Sequence, residues 1–142
     1  MKKIMFASLA LVATVLMTSC NPYEDGPLIS IQSKSARIAN TWVVASAIES
    51  DGTDITESFA DDQWTFSKEG DATIITKEAG ITLTYGGDWD LESDDEIFEL
   101  TISGEILGIP FSTTDEYTIL RLSNTEFWLL DKNDTEIRLE PF

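Results

Sequence analysis

The sequence predicts an all-β protein: a small antiparallel up-and-down barrel of about eight or nine strands, preceded by an export signal. After residue 40, short runs rich in β-branched and aromatic residues alternate with turn residues at intervals of about ten residues. Helical periodicity is nearly absent from this part of the chain. Both features are typical of antiparallel barrels and sandwiches.

The first segment, residues 1–19, has the plan of a signal peptide. Lys2 and Lys3 give it a positive start, and residues 4–17 form an apolar run without charge. This run is about 14 residues long, whereas a helix needs roughly 20 to cross a bilayer. We therefore expect the segment to be cleaved and not to serve as a permanent anchor.

Cys20, the only cysteine of the chain, follows directly after Thr18 and Ser19. The segment from Leu16 to Cys20 resembles a lipobox, in which the cysteine receives a diacylglycerol and becomes the new N-terminus. Met17 departs from the preferred leucine but remains apolar. Because several acyl chains bind a membrane far more firmly than one, lipidation of Cys20 predicts stable membrane attachment.

Residues 20–35 are expected to form a lipid-anchored flexible linker. Pro22, Gly26 and Pro27 break regular structure, and three serines add polar flexibility. Glu24 and Asp25 resemble the surface-export signal of Bacteroidetes lipoproteins, although a solvated linker explains them equally well. A short helical turn is predicted over residues 35–40.

The folded domain is assigned to residues 36–142. Strands are predicted over residues 42–48, 63–67, 72–77, 81–85, 89–91, 97–103, 117–122, 127–130 and 136–139. The residues between them have hairpin chemistry, including turns at 68–71, 78–80, 86–87, 93–95, 123–124 and 132–134. Sequential hairpins favour a meander, and closure into a barrel removes the sticky edges of so many strands.

Alternation assigns one buried face to each strand. Ile81, Leu83 and Tyr85 share one face of their strand, as do Phe98 and Leu100 of a later strand. We expect these side chains, and most of the four tryptophans, to lie in the core.

Four stretches carry a family resemblance: residues 40–42 (Asn-Thr-Trp), 51–59, 64–66 (Trp-Thr-Phe) and 89–91 (Trp-Asp-Leu). They resemble the small lipocalin-like lipoproteins of Bacteroidetes over about residues 37–140. Lipocalins proper have glycine where this chain has Asn40, and they are longer, with a C-terminal helix. The resemblance implies a lipocalin-like barrel more than it implies a function.

Charge and composition exclude several functions. The chain has a net charge of −17, and removal of residues 1–19 leaves 7 basic against 26 acidic residues, a net charge of −19. Such a charge repels nucleic acids and anionic membrane surfaces. With no histidine and an acylated cysteine, triads built on serine or cysteine and zinc sites built on histidine or cysteine are excluded.

Carboxylates are the remaining candidates for chemistry. The acidic stretch over residues 88–96 could attract Ca²⁺, but Ser93 stands where an EF-hand loop needs glycine. A short barrel also offers no dry cleft to raise the pKa of a glycosidase acid. We therefore expect no enzymatic activity, no metal and no cofactor.

The segment over residues 104–111 is apolar although it connects two predicted strands, and such connections are normally polar. Either the strands run longer and bury these side chains, or they form an apolar lip that contacts a ligand or a partner. The candidate ligand-binding residues are Ile106, Leu107, Ile109 and Phe111.

Two functions remain open at this point. One is a lipid-anchored module of the cell envelope, expected at the outer membrane and potentially facing outwards, that binds a small apolar ligand. The other is a protein-interaction or accessory subunit of an envelope complex without a ligand. In a barrel this short, large side chains tend to fill the interior, which argues against a ligand cavity. The family resemblance, in contrast, favours a ligand.

Overall fold

A computed structural model describes residues 32–142 of the chain. The predicted signal peptide, Cys20 and residues 21–31 of the predicted linker lie outside the described residues. Within the described part, no helix is long and apolar enough to span a membrane.

Eight antiparallel strands close into one barrel, in which each strand pairs with the next and β8 pairs with β1. The strands are β1 (Thr41–Ile48), β2 (Gln63–Phe66), β3 (Asp71–Glu78), β4 (Ile81–Glu92), β5 (Ile97–Ile106), β6 (Ile109–Leu122), β7 (Phe127–Leu130) and β8 (Glu136–Pro141). A short helix, α1 (Lys34–Ile38), precedes β1, and a 3-10 helix (Thr56–Phe59) lies between β1 and β2. The predicted all-β up-and-down barrel is confirmed.

The predicted turn at residues 86–87 is wrong, because β4 runs unbroken through both glycines. Gly87 pairs with Ile102 of β5, and a Cβ added to it would lie only 1.8 Å from the carbonyl oxygen of Thr101. Glycine is needed here for close approach of two strands and not for a turn. The two strands predicted over 81–85 and 89–91 are therefore one.

Helix α1 closes one end of the barrel. Ser33 caps it by accepting a hydrogen bond from the backbone N–H of Ala36 at 3.1 Å. Arg37 is buried and donates through Nη1 to the carbonyl oxygen of Leu122 at 2.7 Å, and Trp42 Nε1 donates to the carbonyl oxygen of Ile38 at 2.8 Å. The helix begins at Lys34, one residue before the predicted position, so it includes the last two residues assigned to the linker.

The hydrophobic core occupies the half of the barrel next to α1, which we call the closed end. Phe98 is fully buried, and its ring lies 5.2 Å from the rings of both Phe66 and Phe127 and 5.8 Å from that of Trp89. Every core residue lies between Ile38 and Leu139, and the sheet closes within residues 41–141. The described part therefore contains all that a barrel needs to fold by itself.

The tryptophans divide as predicted. Trp42, Trp64 and Trp89 are buried in the core. The fourth, Trp128, lies on the outer face of β7 between two arginines, with its ring 5.2 Å from the guanidinium of Arg121 and 4.1 Å from that of Arg138. This stack covers part of the outer wall with cation–π contacts.

Candidate ligand site at the mouth of the barrel

The end of the barrel opposite α1, which we call the mouth, is uneven in height. Strands β4, β5 and β6 have 12, 10 and 14 residues, whereas β2 and β7 have four each. The long strands therefore continue past the short ones as a flared sheet. The four candidate residues lie at the tip of this sheet, around the β5–β6 hairpin.

The candidate residues belong to longer strands but are not core residues. Ile106 and Ile109 pair across the hairpin and are 55% and 70% exposed, while Leu107 in the turn is 98% exposed. Phe111 pairs with Gly104 and is half-buried. Of the two alternatives, the first holds only in part: the strands do extend, but they bury none of these four side chains completely.

Alternation shows which way the side chains face. Ile106 shares its face of β5 with the buried Phe98 and Leu100, and Ile109 and Phe111 share theirs with the buried Ile119 of β6. No bulge interrupts β5 or this part of β6. The inner face of the barrel therefore continues onto the flared sheet.

Strand β4 contributes three further side chains to the same face, which sequence analysis assigned to the core. Ile81, Leu83 and Tyr85 share the face of the buried Trp89, but Ile81 is 63% exposed and the other two are half-buried. Their alternation identified the inner face correctly. Nothing in the sequence showed that the short strands of the barrel end before they could cover these side chains. We call the set of six the apolar wall: Ile81, Leu83, Tyr85, Ile106, Ile109 and Phe111.

Two aromatic side chains hold the wall together. The rings of Tyr85 and Phe111 meet edge to face with centroids 5.7 Å apart. They pass over Gly104, where an added Cβ would lie 2.9 Å from the Phe111 ring. The glycine thus leaves room for both rings, since a Cβ at this position would also lie 3.3 Å from the Tyr85 ring.

The outer face of the same sheet is polar. It carries threonine, serine and glutamate: Thr82, Thr84, Ser103, Glu105, Ser112 and Thr114. The flared sheet is therefore amphipathic: its apolar face is turned towards the mouth, and its polar face is turned outwards.

The hairpin turn at the tip has an unusual residue. Leu107 has φ 52° and Gly108 has φ 81°, so both central residues of this two-residue turn are left-handed. Such turns normally use Asn-Gly, because leucine has a steric cost in this conformation. An exposed, strained leucine where asparagine would fit better points to a role for an apolar side chain at the tip.

A cavity of about 230 Å³ opens at the mouth below the apolar wall. Its aromatic lining consists of Phe59 from the 3-10 helix, Trp64 and Tyr117, and its polar rim includes Asp115 and Asp131. Burial, and then the charges of the two aspartates, raise the pKa of Tyr117 to about 12. Tyr117 therefore keeps its proton at neutral pH and can act as a hydrogen-bond donor.

A second cavity of about 300 Å³ opens through the side of the barrel, where β1 and β2 separate after only two paired residues each. Phe59 lines both cavities and stands between them, with its ring 6.5 Å from that of Trp64 in an edge-to-face contact. Phe59 therefore borders both the mouth cavity and a groove on the side of the barrel.

Asp62 is the buried acid of this region and was missed by sequence analysis. It lines the side cavity and is 9% exposed. Burial raises the pKa of its carboxyl, while Thr76 and the indole of Trp64 oppose that rise. The alternation of β2 could have identified it, since Asp62 stands two residues before the inward-facing Trp64.

The acidic stretch over residues 88–96 lies elsewhere, on the outside of the barrel near its closed end. Asp88, Asp90 and Glu99 line an open groove of about 540 Å³. Within residues 32–142, no three acidic side chains are grouped so that they could hold a metal ion.

Two solved structures are similar to this barrel. A lipocalin-like protein from Bacteroides uniformis ATCC 8492 matches with a TM-score of 0.57 and 16% identity, over 75% of this chain and 99% of that one. An uncharacterized protein from Bacteroides eggerthii DSM 20697 matches with a TM-score of 0.53 and 11% identity, over 73% of this chain and 98% of that one. No protein-family model matches the chain, and no curated protein matches it. The likenesses show the fold alone, a lipocalin-like barrel.

Proposed function

We propose that this protein is a lipid-anchored component of the cell envelope whose lipocalin-like barrel binds a small apolar ligand against the apolar wall. The observation that carries the proposal is the continuation of the barrel's inner apolar face onto an exposed sheet with a polar back. Because exposed apolar area costs solubility without stabilising the fold, its retention on one face favours contact with a ligand.

The size of the site fits this proposal. The mouth cavity has a volume of about 230 Å³. By itself it is smaller than a typical ligand pocket, which has roughly 300 to 1,000 Å³. The apolar wall shares the inner face of β6 with Tyr117 of this cavity and would supply the further apolar surface that a ligand covers. Burial of that surface is worth roughly 25 cal/mol per Å².

The anchor is proposed at Cys20, through lipidation after cleavage of residues 1–19. Thirteen residues lie between Cys20 and Lys34, so the distance between these two residues is at most roughly 50 Å when the segment is fully extended. This tether joins the domain at its closed end, on the far side from the apolar wall. The arrangement leaves the mouth free to receive a ligand while the protein is held at the outer membrane.

The ligand proposal is tested with residues 32–142 and the neutral fluorescent probe N-phenyl-1-naphthylamine. We expect saturable binding that weakens at least tenfold in the double variant Ile106→Ser and Ile109→Ser. Ile97→Ser is the matched control, because Ile97 lies on the outer face of β5 near the closed end. Equal binding by both variants and the unmodified domain would remove the wall from the proposed site.

The anchor proposal is tested in the full chain, expressed in a bacterial host and labelled with a fatty acid. We expect Cys20→Ser to abolish labelling and to release the protein from the membrane fraction. Labelling that persists in this variant contradicts lipidation at Cys20.

A protein partner is the second candidate, and one observation favours it. Leu107 is 98% exposed at the tip of the hairpin, beyond the concave part of the wall. Native mass spectrometry of the domain purified from its own host separates the two functions, since a small ligand and a protein add very different masses. Neither function involves catalysis or nucleic acid, which agrees with the absence of histidine and with the net charge of −17.

A further inference from the structure

Three buried side-chain polar atoms of the described residues lack a hydrogen-bond partner: Arg37 Nε lies at the closed end, and the other two belong to neighbouring residues on the inner face. Asp62 Oδ1 and Trp64 Nε1 have no hydrogen-bond partner among the described residues, although their side chains are 9% and 6% exposed. The indole lies close enough to oppose the rise in the pKa of Asp62, yet it forms no hydrogen bond of normal geometry with the carboxyl. An unsatisfied buried donor and acceptor are costly, so a third group that satisfies both would be stabilised here.

Strand register joins this polar pair to the apolar wall. Trp64 pairs with Ile74 of β3, and Ile74 pairs with Tyr85 of β4. Tyr85 in turn contacts Phe111 of β6 across the inner face. One continuous row of inward-facing side chains therefore runs from the polar pair to the apolar wall.

Phe59 lies beside both members of the polar pair. It lines the mouth cavity together with Trp64 and the side cavity together with Asp62. A ligand whose tail lies on the apolar wall and whose head passes beside Phe59 would reach both polar atoms.

The chemistry of the pair selects the head group. A carboxylate oxygen accepts a hydrogen bond and an indole N–H donates one, so the matching group must do both, as a hydroxyl or a primary amide does. Negative charge surrounds the site, since Asp61 lies next to Asp62 and two further aspartates line the mouth. The nearby lysines are already engaged: Lys77 with Asp61 at 3.5 Å and Lys132 with Asp115 at 3.6 Å. An anionic head is therefore disfavoured.

We infer that Asp62 and Trp64 form a head-group subsite, and that the ligand is an uncharged amphiphile with a hydroxyl or primary amide at the end of an apolar tail. This inference rests on the proposed ligand binding and names the class of molecule bound.

The experiment is competition against N-phenyl-1-naphthylamine on residues 32–142 at pH 7.5. Three competitors share one chain length: 1-decanol, 1-methoxydecane, which lacks the donor, and decanoate, which is anionic. We expect 1-decanol to compete at least tenfold better than either of the others.

Variants then assign the preference to the pair. Asp62→Leu and Trp64→Phe should reduce competition by 1-decanol to the level of 1-methoxydecane, with little change in probe affinity. Asp62→Asn, which keeps a hydrogen-bonding side chain, should retain the preference. Asp61→Asn is the matched control, because it removes the same charge from an exposed neighbour, and asparagine suits its φ of 68°.

Each outcome decides one question. If the probe binds but the three competitors are equal, or if decanoate is best, the head-group subsite is overturned, water satisfies the pair and the proposed function stands. If the probe does not bind at all, both proposals fail. A cooperative thermal melt of each variant separates loss of binding from loss of fold.

Discussion

The closed end and the mouth of this barrel are built from the same strands and the same alternating pattern, yet one is a packed core and the other an exposed wall. On β5, Phe98 at the closed end is fully buried, whereas Ile106 on the same face at the mouth is 55% exposed. Short strands and α1 cover the closed end, but nothing in the described chain faces the wall. An alternating pattern therefore defines a face, and closure by other elements decides whether that face is buried.

The difference also separates stability from function. Burying a large apolar side chain completely is worth about 1.5 to 3 kcal/mol, whereas a largely exposed isoleucine contributes little. Ile81 and Ile109 are 63% and 70% exposed, so folding gains little from them. Because these exposed side chains contribute so little to folding, their apolar character supports the proposal that the wall contacts a ligand or a partner.

The largest expected effect is the loss of stability when an aromatic ring is removed from the core at the closed end. Phe98→Ala should destabilise the domain by about 3 to 5 kcal/mol, because it leaves a cavity among four aromatic rings. Phe111→Ala should cost about 1 kcal/mol, since its main ring contact is with Tyr85. Chemical denaturation of both variants measures the difference. Similar costs at the two sites would mean that the wall is as well packed as the core.

The next effect concerns what closes the barrel. Arg37→Met should destabilise by about 1.5 to 3 kcal/mol, because it removes a buried hydrogen bond from a charged donor to the carbonyl oxygen of Leu122. Lys34→Met on the same helix is the control. Lys34 pairs with Asp95 at 3.4 Å near the surface, where such pairs contribute less than about 1 kcal/mol. Equal losses in denaturant melts would argue against Arg37 as the closing contact.

A smaller effect of opposite sign is expected at the tip. Leu107→Asn should stabilise the domain by about 0.5 to 1 kcal/mol, because asparagine adopts the left-handed conformation at lower cost and little apolar contact is lost. The denaturation midpoint should rise while binding of a ligand or partner weakens. A fall in the midpoint would show that Leu107 packs against the fold.

The smallest expected effect is a change in the pH dependence of stability through Asp62. Burial raises the pKa of Asp62 above its ordinary value of 3.8. At pH values between the pKa of Asp62 in the unfolded state and its higher pKa in the folded state, the folded state binds more protons than the unfolded state. The contribution of Asp62 to the free energy of unfolding therefore falls as the pH rises through this window. Asp62→Asn should therefore gain stability relative to the unmodified domain above the window and show no gain near pH 3. Thermal melts across this range, with Asp61→Asn as control, measure it; a gain that is independent of pH would exclude titration as its cause.

Sequence analysis predicted the face of each strand better than its length or surroundings. The alternation of Phe98 and Leu100 identified a buried face correctly, and the hairpin residues indicated antiparallel neighbours. Gly86 and Gly87 were misassigned to a turn, because local chemistry does not distinguish a turn glycine from one that allows close strand approach. Asp62 was missed although the alternation of β2 places it on the inner face, because an acidic residue just before a predicted strand is usually exposed and only the packing of Thr76 of β3 and the 3-10 helix shows its burial.

The sequence by itself determined the all-β class, the inward face of each strand and the candidate lipid site at Cys20, because these depend on local periodicity and short motifs. Only the fold shows that β4, β5 and β6 extend past their neighbours and that the apolar wall stays uncovered. Those features depend on which strands pair, how far each pair extends and what lies opposite. Such relations join residues far apart in the chain, and no local pattern encodes them.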